Sequence, residues 1–342
     1  MKYFILFCLT SLVWTSDFGN GCKEFIYFCV HFLIFLEILV FSKKANNPLY
    51  SISWGWTLTV FVLTLIGIWE FFTGNHLSTS VTTDMTVNMG GVIQSRMNAN
   101  ATFGNLNMFV TLLCFSFPWL FYIVSQSAQA KKRIVVALVS IMLSVLIILV
   151  NGSRGGLFCY GIFAAIYMFF MPRNKYTVSF SALTISAFCY FIIQYSSEIF
   201  LVLTMKNEGA GLASDDSRIE IWSCAAMALA QTLGIGTGVG SMAASLGRIS
   251  NTIIPATHNM FVEIIMQFGL ILSFVYIHFL WRLFKRGYHL KDKIRKMCVL
   301  MAMIAMPMYG IINSIYLTAP SLYVLIATIF IFVYYERIKY TD

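Results

Sequence analysis

Residues 131–156 read Lys-Lys-Arg-Ile-Val-Val-Ala-Leu-Val-Ser-Ile-Met-Leu-Ser-Val-Leu-Ile-Ile-Leu-Val-Asn-Gly-Ser-Arg-Gly-Gly. Three cations lead into an apolar run, 134–150, interrupted only by Ser140 and Ser144, and a glycine-rich turn with Arg154 closes it. At about 1.5 Å per helical residue the run covers most of the roughly 30 Å of hydrocarbon in a bilayer. A backbone at that depth has no water to bond, so it must bond to itself as a helix. The cation cluster marks one boundary of the span and the polar turn marks the other.

The same pattern recurs along the 342 residues, of which 59% are hydrophobic and 11% charged, with a mean hydropathy of +0.78. A soluble domain carries about 25% charged residues, so water is not the main solvent of this chain. We read an all-α, polytopic integral membrane protein with about ten transmembrane helices at 3–15, 24–41, 51–72, 105–124, 134–150, 155–171, 177–203, 258–281, 298–316 and 320–337. Residues 1–342 form a single membrane domain in this reading. The start of the chain, Lys2 followed by a short apolar run, continues into Trp14-Thr15-Ser16-Asp17 without a small-x-small cleavage site, which favours a first helix over a signal peptide.

Loop charges set the expected orientation. With the N-terminus inside, 17 of the 23 basic residues fall in cytoplasmic segments, leaving Lys23, Arg96, Arg154, Lys206, Arg218 and Arg248 on the outer face. Both termini are therefore expected in the cytoplasm. The net charge of +9 reflects these loops, which suit anionic membrane lipids, and calls for no nucleic acid partner. Six of the eight cysteines sit in apolar spans; Cys22 and Cys224 fall in outer segments and could pair.

Two outer loops are long, 73–104 and 204–257, and loops beyond about 15 residues usually carry function or are disordered. In the second, Ser217-Arg218-Ile219-Glu220 has the form of a capping box. It opens a short amphipathic helix that would run to about Leu233, stop at Gly234, and present Ile219, Trp222, Ala226 and Leu229 on one stripe. Arg218 in its first turn would strengthen the anion site that any helix N-terminus offers. On spacing alone it is equally an exposed arginine offsetting Asp215, Asp216 and Glu220.

Three further stretches carry chemistry. Asn151-Gly152-Ser153-Arg154-Gly155-Gly156 allows close backbone approach to a ligand, or is a plain interhelical turn whose arginine snorkels to headgroups. Gly234-Ile-Gly236-Thr-Gly238-Val-Gly240-Ser241 reads as a phosphate nest or as a flexible loop. His258-Asn259 opens a span, where an imidazole with a reference pKa near 6.5 can accept a hydroxyl proton or simply sit at the interface without a partner. Asn259 and Glu263 share a helical face. No two histidines stand at metal-ligand spacing in an outer loop, so neither a metal nor a cofactor is expected.

Taken in order, Ser153-Arg154-Gly155-Gly156, Arg218 with Trp222, Gly234-Ile-Gly236-Thr-Gly238 and His258-Asn259-Met-Phe-Val-Glu263 with Gly269 resemble the bacterial O-antigen ligase and O-antigen polymerase superfamily. The resemblance covers about residues 134–281, with a weaker echo from Arg96 through Asn107. It implies a metal-independent glycosyltransferase of the bacterial inner (cytoplasmic) membrane that moves a glycan from an undecaprenyl diphosphate donor to an acceptor hydroxyl at the periplasmic face. The acceptor would be lipid A core or a second lipid-linked glycan, as in lipopolysaccharide or polysaccharide biosynthesis. By the same resemblance Arg154, Arg218 and Arg96 hold the donor diphosphate and His258 activates the acceptor. Asn259, Glu263, Gly236 and Gly238 support them. Gln267 departs from the pattern, standing where a carboxylate often precedes the glycine. The competing class, a transporter or flippase of polyprenyl-linked saccharides, would place polar residues near the bilayer midplane, whereas the polar cluster here lies at one face.

Overall fold

The computed structural model describes residues 2–79, 86–89, 92–95, 99–104, 106–126, 131–151, 153–170, 215–250, 257, 259–310 and 318–340. Among them are eleven helices: α1 (Lys2–Ser11), α2 (Phe18–Lys44), α3 (Pro48–Thr73), α4 (Leu106–Val124), α5 (Lys131–Val150), α6 (Arg154–Phe170), α7 (Asp215–Gln231), α8 (Met242–Ser250), α9 (Met260–Tyr288), α10 (Lys293–Gly310) and α11 (Pro320–Tyr340). Nine of the ten expected spans fall on helices, and the tenth, 177–203, lies outside the described residues. Among the described residues, α2, α3, α4, α5 and α9 are each long and apolar enough to cross a membrane. The chain is a multi-pass membrane protein.

Local signals end the helices where the sequence suggests. Asp17 accepts from the Asn20 amide at 3.0 Å to open α2, and Lys43 and Lys44 close it, where cations favour the helix dipole. Asn47 caps α3 with Pro48 in its first turn, and Gly74, at φ 68°, ends it. Helix α4 is the axis of the bundle: every residue from Phe109 to Ile123 is buried, and α3, α5, α6 and α10 pack around it. By contrast α2, α3, α5 and α9 expose Phe41, Val62, Met142, Ile271 and Phe274. In water such a belt would drive aggregation; against lipid tails it is the outer wall.

Two expectations are amended. The first long loop contains a two-stranded antiparallel ribbon, β1 (Thr86–Met89) and β2 (Val92–Ser95), with Thr86 opposite Ser95 and Met89 opposite Val92, so among the described residues the fold is all-α apart from this ribbon. Gly90-Gly91 separates two short runs containing Val87, Val92 and Ile93, the composition of a tight hairpin. The second long loop holds two helices, α7 and α8, where one was expected. Cys22 and Cys224 are both free thiols.

Candidate active site

We call the end of the bundle where α3 and α5 finish and α4, α6 and α9 begin the site end. At the start of α9, Asn259 adopts an extended backbone and its Oδ1 accepts from the amides of Phe261 (2.9 Å) and Val262 (3.3 Å). Its side chain thus caps the helix. The Thr257 hydroxyl donates to the Asn259 carbonyl at 3.0 Å, closing a small loop across position 258. Thr257 is fully buried and Asn259 nearly so. Glu263, also buried, stands in the first turn, where a carboxylate complements the helix N-terminus. His258 itself and Arg96 lie outside the described residues, as does Asn105. Arg154 is placed by its backbone as the first residue of α6, and Arg218 as one in the first turn of α7.

The helix that carries Arg218 is tethered to the segment that carries His258. Trp222, one turn beyond Arg218, donates its indole N–H to the Thr257 carbonyl at 3.0 Å. Below that bond, Cys224, Ala225 and Ala228 of α7 pack on Met242 and Leu246 of α8 and Met266 of α9. The buried stripe is therefore rotated from the expected one: Ile219 is 60% exposed and Ala226 is exposed. Small residues win the inward positions because they let α7 approach α8 and α9 closely. Helix α7 also begins at Asp215, which leaves Ser217 inside the helix rather than at its cap. Asp215 and Asp216 then occupy the first turn, where the dipole favours them. The expected stop does hold, since Gly234, at φ 81°, donates its amide to the Leu229 carbonyl at 3.0 Å.

The glycine run is neither open nest nor loose loop. The Gly236 amide donates to Thr232 Oγ1, Thr237 to the Met266 carbonyl, Gly238 to the Gln267 carbonyl, Val239 to Ser11 Oγ, and Gly240 to Gln267 Oε1. Its carbonyls are held from the α1–α2 turn: Trp14 Nε1 reaches Gly236 O (3.1 Å), Thr15 Oγ1 reaches Val239 O (2.8 Å), and Asn20 Nδ2 reaches Gly240 O (2.7 Å). With its amides already committed, the run acts as a splice joining α1–α2 to the middle of α9. A Cβ on Gly236 would fall 2.5 Å from the Gly269 amide, and one on Gly238 would fall 2.9 Å from the Ser11 carbonyl. Gln267 belongs to this splice, since its Oε1 holds the Gly240 amide from a fully buried position.

Around Arg154 a second cluster forms that the sequence reading missed. Asn151, at the end of α5, clasps Ala99 through both its side-chain atoms: Ala99 N donates to Oδ1 at 2.9 Å, and Nδ2 donates to Ala99 O at 2.8 Å. The next two amides, Asn100 (2.8 Å) and Ala101 (2.6 Å), donate to Oε2 of Glu70, which is fully buried at the end of α3. His76 Nδ1 lies 3.4 Å from Glu70 Oε1, an ion-pair separation without hydrogen-bond alignment. Glu70 is the one charged residue in α3, and a carboxylate in an apolar span was the available signal. Together Glu70 and Asn151 dock the end of the first long loop beside the turn that starts α6. Helix α10 links the two clusters, since it packs on α6 and its Gly310 abuts Met260 of α9.

Replacing Glu70 with alanine strands two buried amides, each costing roughly 1–3 kcal/mol. The expected result is a clearly lower unfolding temperature for the purified protein in detergent, with Asn151→Ala shifting it in the same direction. Unchanged midpoints in both variants would show that the loop does not depend on this clasp.

With this arrangement in view, two similarities to known proteins can be placed on it. Residues 138–277, from within α5 to Ile277 in α9, match the O-antigen ligase family. The matched stretch makes up less than half of the chain. It contains Arg154, Arg218, the glycine splice, Asn259 and Glu263, and the Trp222–Thr257 tether. The chain is also 24% identical, over 302 residues, to the teichuronic acid biosynthesis protein TuaE of Bacillus subtilis (strain 168). That alignment covers 83% of this chain, which spans 59% of the relative's length. Helix α1 and the α1–α2 turn lie outside the family match yet supply the hydrogen bonds that close the splice.

Proposed function

We propose that this protein transfers a glycan from an undecaprenyl diphosphate donor to an acceptor hydroxyl at the outer face of the bacterial cytoplasmic membrane, acting as a ligase or polymerase in polysaccharide biosynthesis. The observation that carries the reading is the family match over 138–277, whose extent includes the tethered segments at the site end. In this reading Arg154, Arg218 and Arg96 grip the diphosphate through bidentate hydrogen bonds. His258 takes the proton of the acceptor hydroxyl as that oxygen attacks the anomeric carbon. The bond from that carbon to the diphosphate oxygen breaks, and the arginines stabilise the departing charge in a partly dry site. Attack from the face opposite the leaving group inverts the anomeric centre. The chemistry requires cations rather than a metal ion or a covalent nucleophile. The acceptor is lipid A core or a second lipid-linked glycan.

The Trp222–Thr257 hydrogen bond supports the pairing of Arg218 with His258, because it joins their two segments within one helical turn of each. Arg218→Lys keeps the charge but loses the planar fork, so it should impair transfer nearly as much as Arg218→Ala. The measurement is transfer of purified lipid-linked glycan to acceptor in nanodiscs, with chelator present. Wild-type rates in both variants would remove Arg218 from the site. Activity abolished by chelator and restored by a divalent cation would overturn the metal-independent mechanism.

A further inference from the structure

At the end of α9 opposite the site, five side chains that titrate or carry positive charge fall on one stripe: His278, Arg282, Lys285, Arg286 and His289. The spacing i, i+4, i+7, i+8, i+11 keeps them on a single face over three turns. That face opens into a cleft of about 680 Å³ closed by Tyr334 and Glu336 of α11. The volume is in the range of small-molecule sites, and the walls are aromatic as well as basic, with Trp281 completing the rim.

Charge in the cleft is left unbalanced. Its carboxylate, Glu336, is taken at 2.9 Å by Arg295, which reaches it from α10. Among the described residues, Arg282, Lys285 and Arg286 make no ion pair with any carboxylate. Arg286 is instead held by an aromatic partner: its guanidinium lies 4.6 Å above the Tyr334 ring and donates to the Tyr334 hydroxyl. Helix α11 departs from helical geometry at Tyr334 itself. Arg295 braces the same break by donating to the Phe332 carbonyl at 2.7 Å. The cations are therefore presented by a braced wall, while Arg282 and Lys285 remain exposed.

Depth decides what can reach them. Gly269 interrupts α9, and the stripe begins nine residues beyond it and ends twenty beyond, roughly 14–30 Å along the axis at 1.5 Å per residue. That places the cleft at the membrane boundary opposite the site end, the level of lipid headgroups. Converging guanidinium and ammonium donors beside exposed Trp281 and Tyr288 combine a phosphate grip with the amphipathic rings that settle at that level.

We propose that this cleft is a binding site for a phosphate group, presented by the headgroup of an anionic phospholipid. It is independent of the glycan transfer proposed above. The test uses the full chain in nanodiscs of equal phosphatidylglycerol and phosphatidylcholine, released for native mass spectrometry. Preferential retention of phosphatidylglycerol is expected, and Arg282→Gln and Lys285→Gln should each reduce that preference about fivefold, the worth of one basic residue near an anionic surface. Lys43→Gln with Lys44→Gln, exposed cations at the end of α2, should leave it unchanged. In detergent, thermal stabilisation by inorganic phosphate that is lost in Arg282→Gln/Lys285→Gln, without lipid preference, keeps the site and assigns it to a soluble phosphate. Equal retention of both lipids with no effect of phosphate overturns the proposal. So does an equal loss in the Lys43/Lys44 variant, which would make the effect one of general surface charge.

Discussion

Replacing His258 with alanine is expected to lower glycan transfer by about 10²–10⁴-fold, the usual contribution of a positioned general base, while the protein remains folded and inserted. The described hydrogen bonds on either side of position 258 are made by its neighbours. Thr257 bonds across to Asn259, Asn259 caps α9, and Trp222 holds the Thr257 carbonyl. Because the neutral ring must accept the proton, the wild-type rate should fall as pH drops through the range in which an imidazole becomes charged, near pH 6.5 for an unperturbed ring. The variant's residual rate should lose that dependence. Transfer at the wild-type rate in His258→Ala would rule out the base role, and an unchanged pH profile would assign the titration to another group.

The largest effect on stability is expected at Gly269. Its backbone, at φ 74° and ψ 179°, lies in a region open essentially to glycine alone. A Cβ there would meet the Ile235 carbonyl and come within 2.5 Å of the Gly234 carbonyl oxygen. Both obstacles are backbone and cannot rotate aside. Gly269→Ala should cost about 3–5 kcal/mol, seen as loss of the monodisperse, heat-stable protein in detergent. Gly161→Ala is the matched control: it lies within α6 with nothing inside 4 Å of the added carbon, and should be neutral or slightly stabilising. Equal stability of the two variants would mean that the α9 break is not held as described.

The membrane architecture was legible because hydrocarbon imposes a length and a composition on every span, and nine expected spans coincide with helices. The helix stop at Gly234 was legible for a local reason, the left-handed backbone that glycine tolerates. What escaped the sequence depended on partners distant along the chain. Whether Gly236–Ser241 is an open nest or a closed splice turns on Ser11, Trp14, Thr15, Asn20 and Gln267 as acceptors and donors, and no local spacing reveals them. Glu70 stood out as a charge in an apolar span, but its work of docking Asn100 and Ala101 requires knowing where the loop returns. The rotated face of α7 is a packing outcome, because Cys224, Ala225 and Ala228 are less hydrophobic than Ile219 but thinner. Arg154, Arg218 and His258 were recognised through their order along the chain, which anticipates no distances.

The splice also sets a timetable for synthesis. Trp14 meets its acceptor 222 residues later, and Asn20 meets its own 220 residues later. At about 5–20 residues per second, ribosomal synthesis separates these partners by roughly 10–45 s. During that interval the first two helices sit in the bilayer with Trp14, Thr15 and Asn20 awaiting the strand of glycines that will occupy them. The N-terminal hairpin is thus a preinstalled receptor for the chain's own later segment, and the splice can close only after α9 has entered the membrane. A nascent chain arrested before residue 236 therefore lacks the segment whose carbonyls Trp14, Thr15 and Asn20 hold in the finished fold.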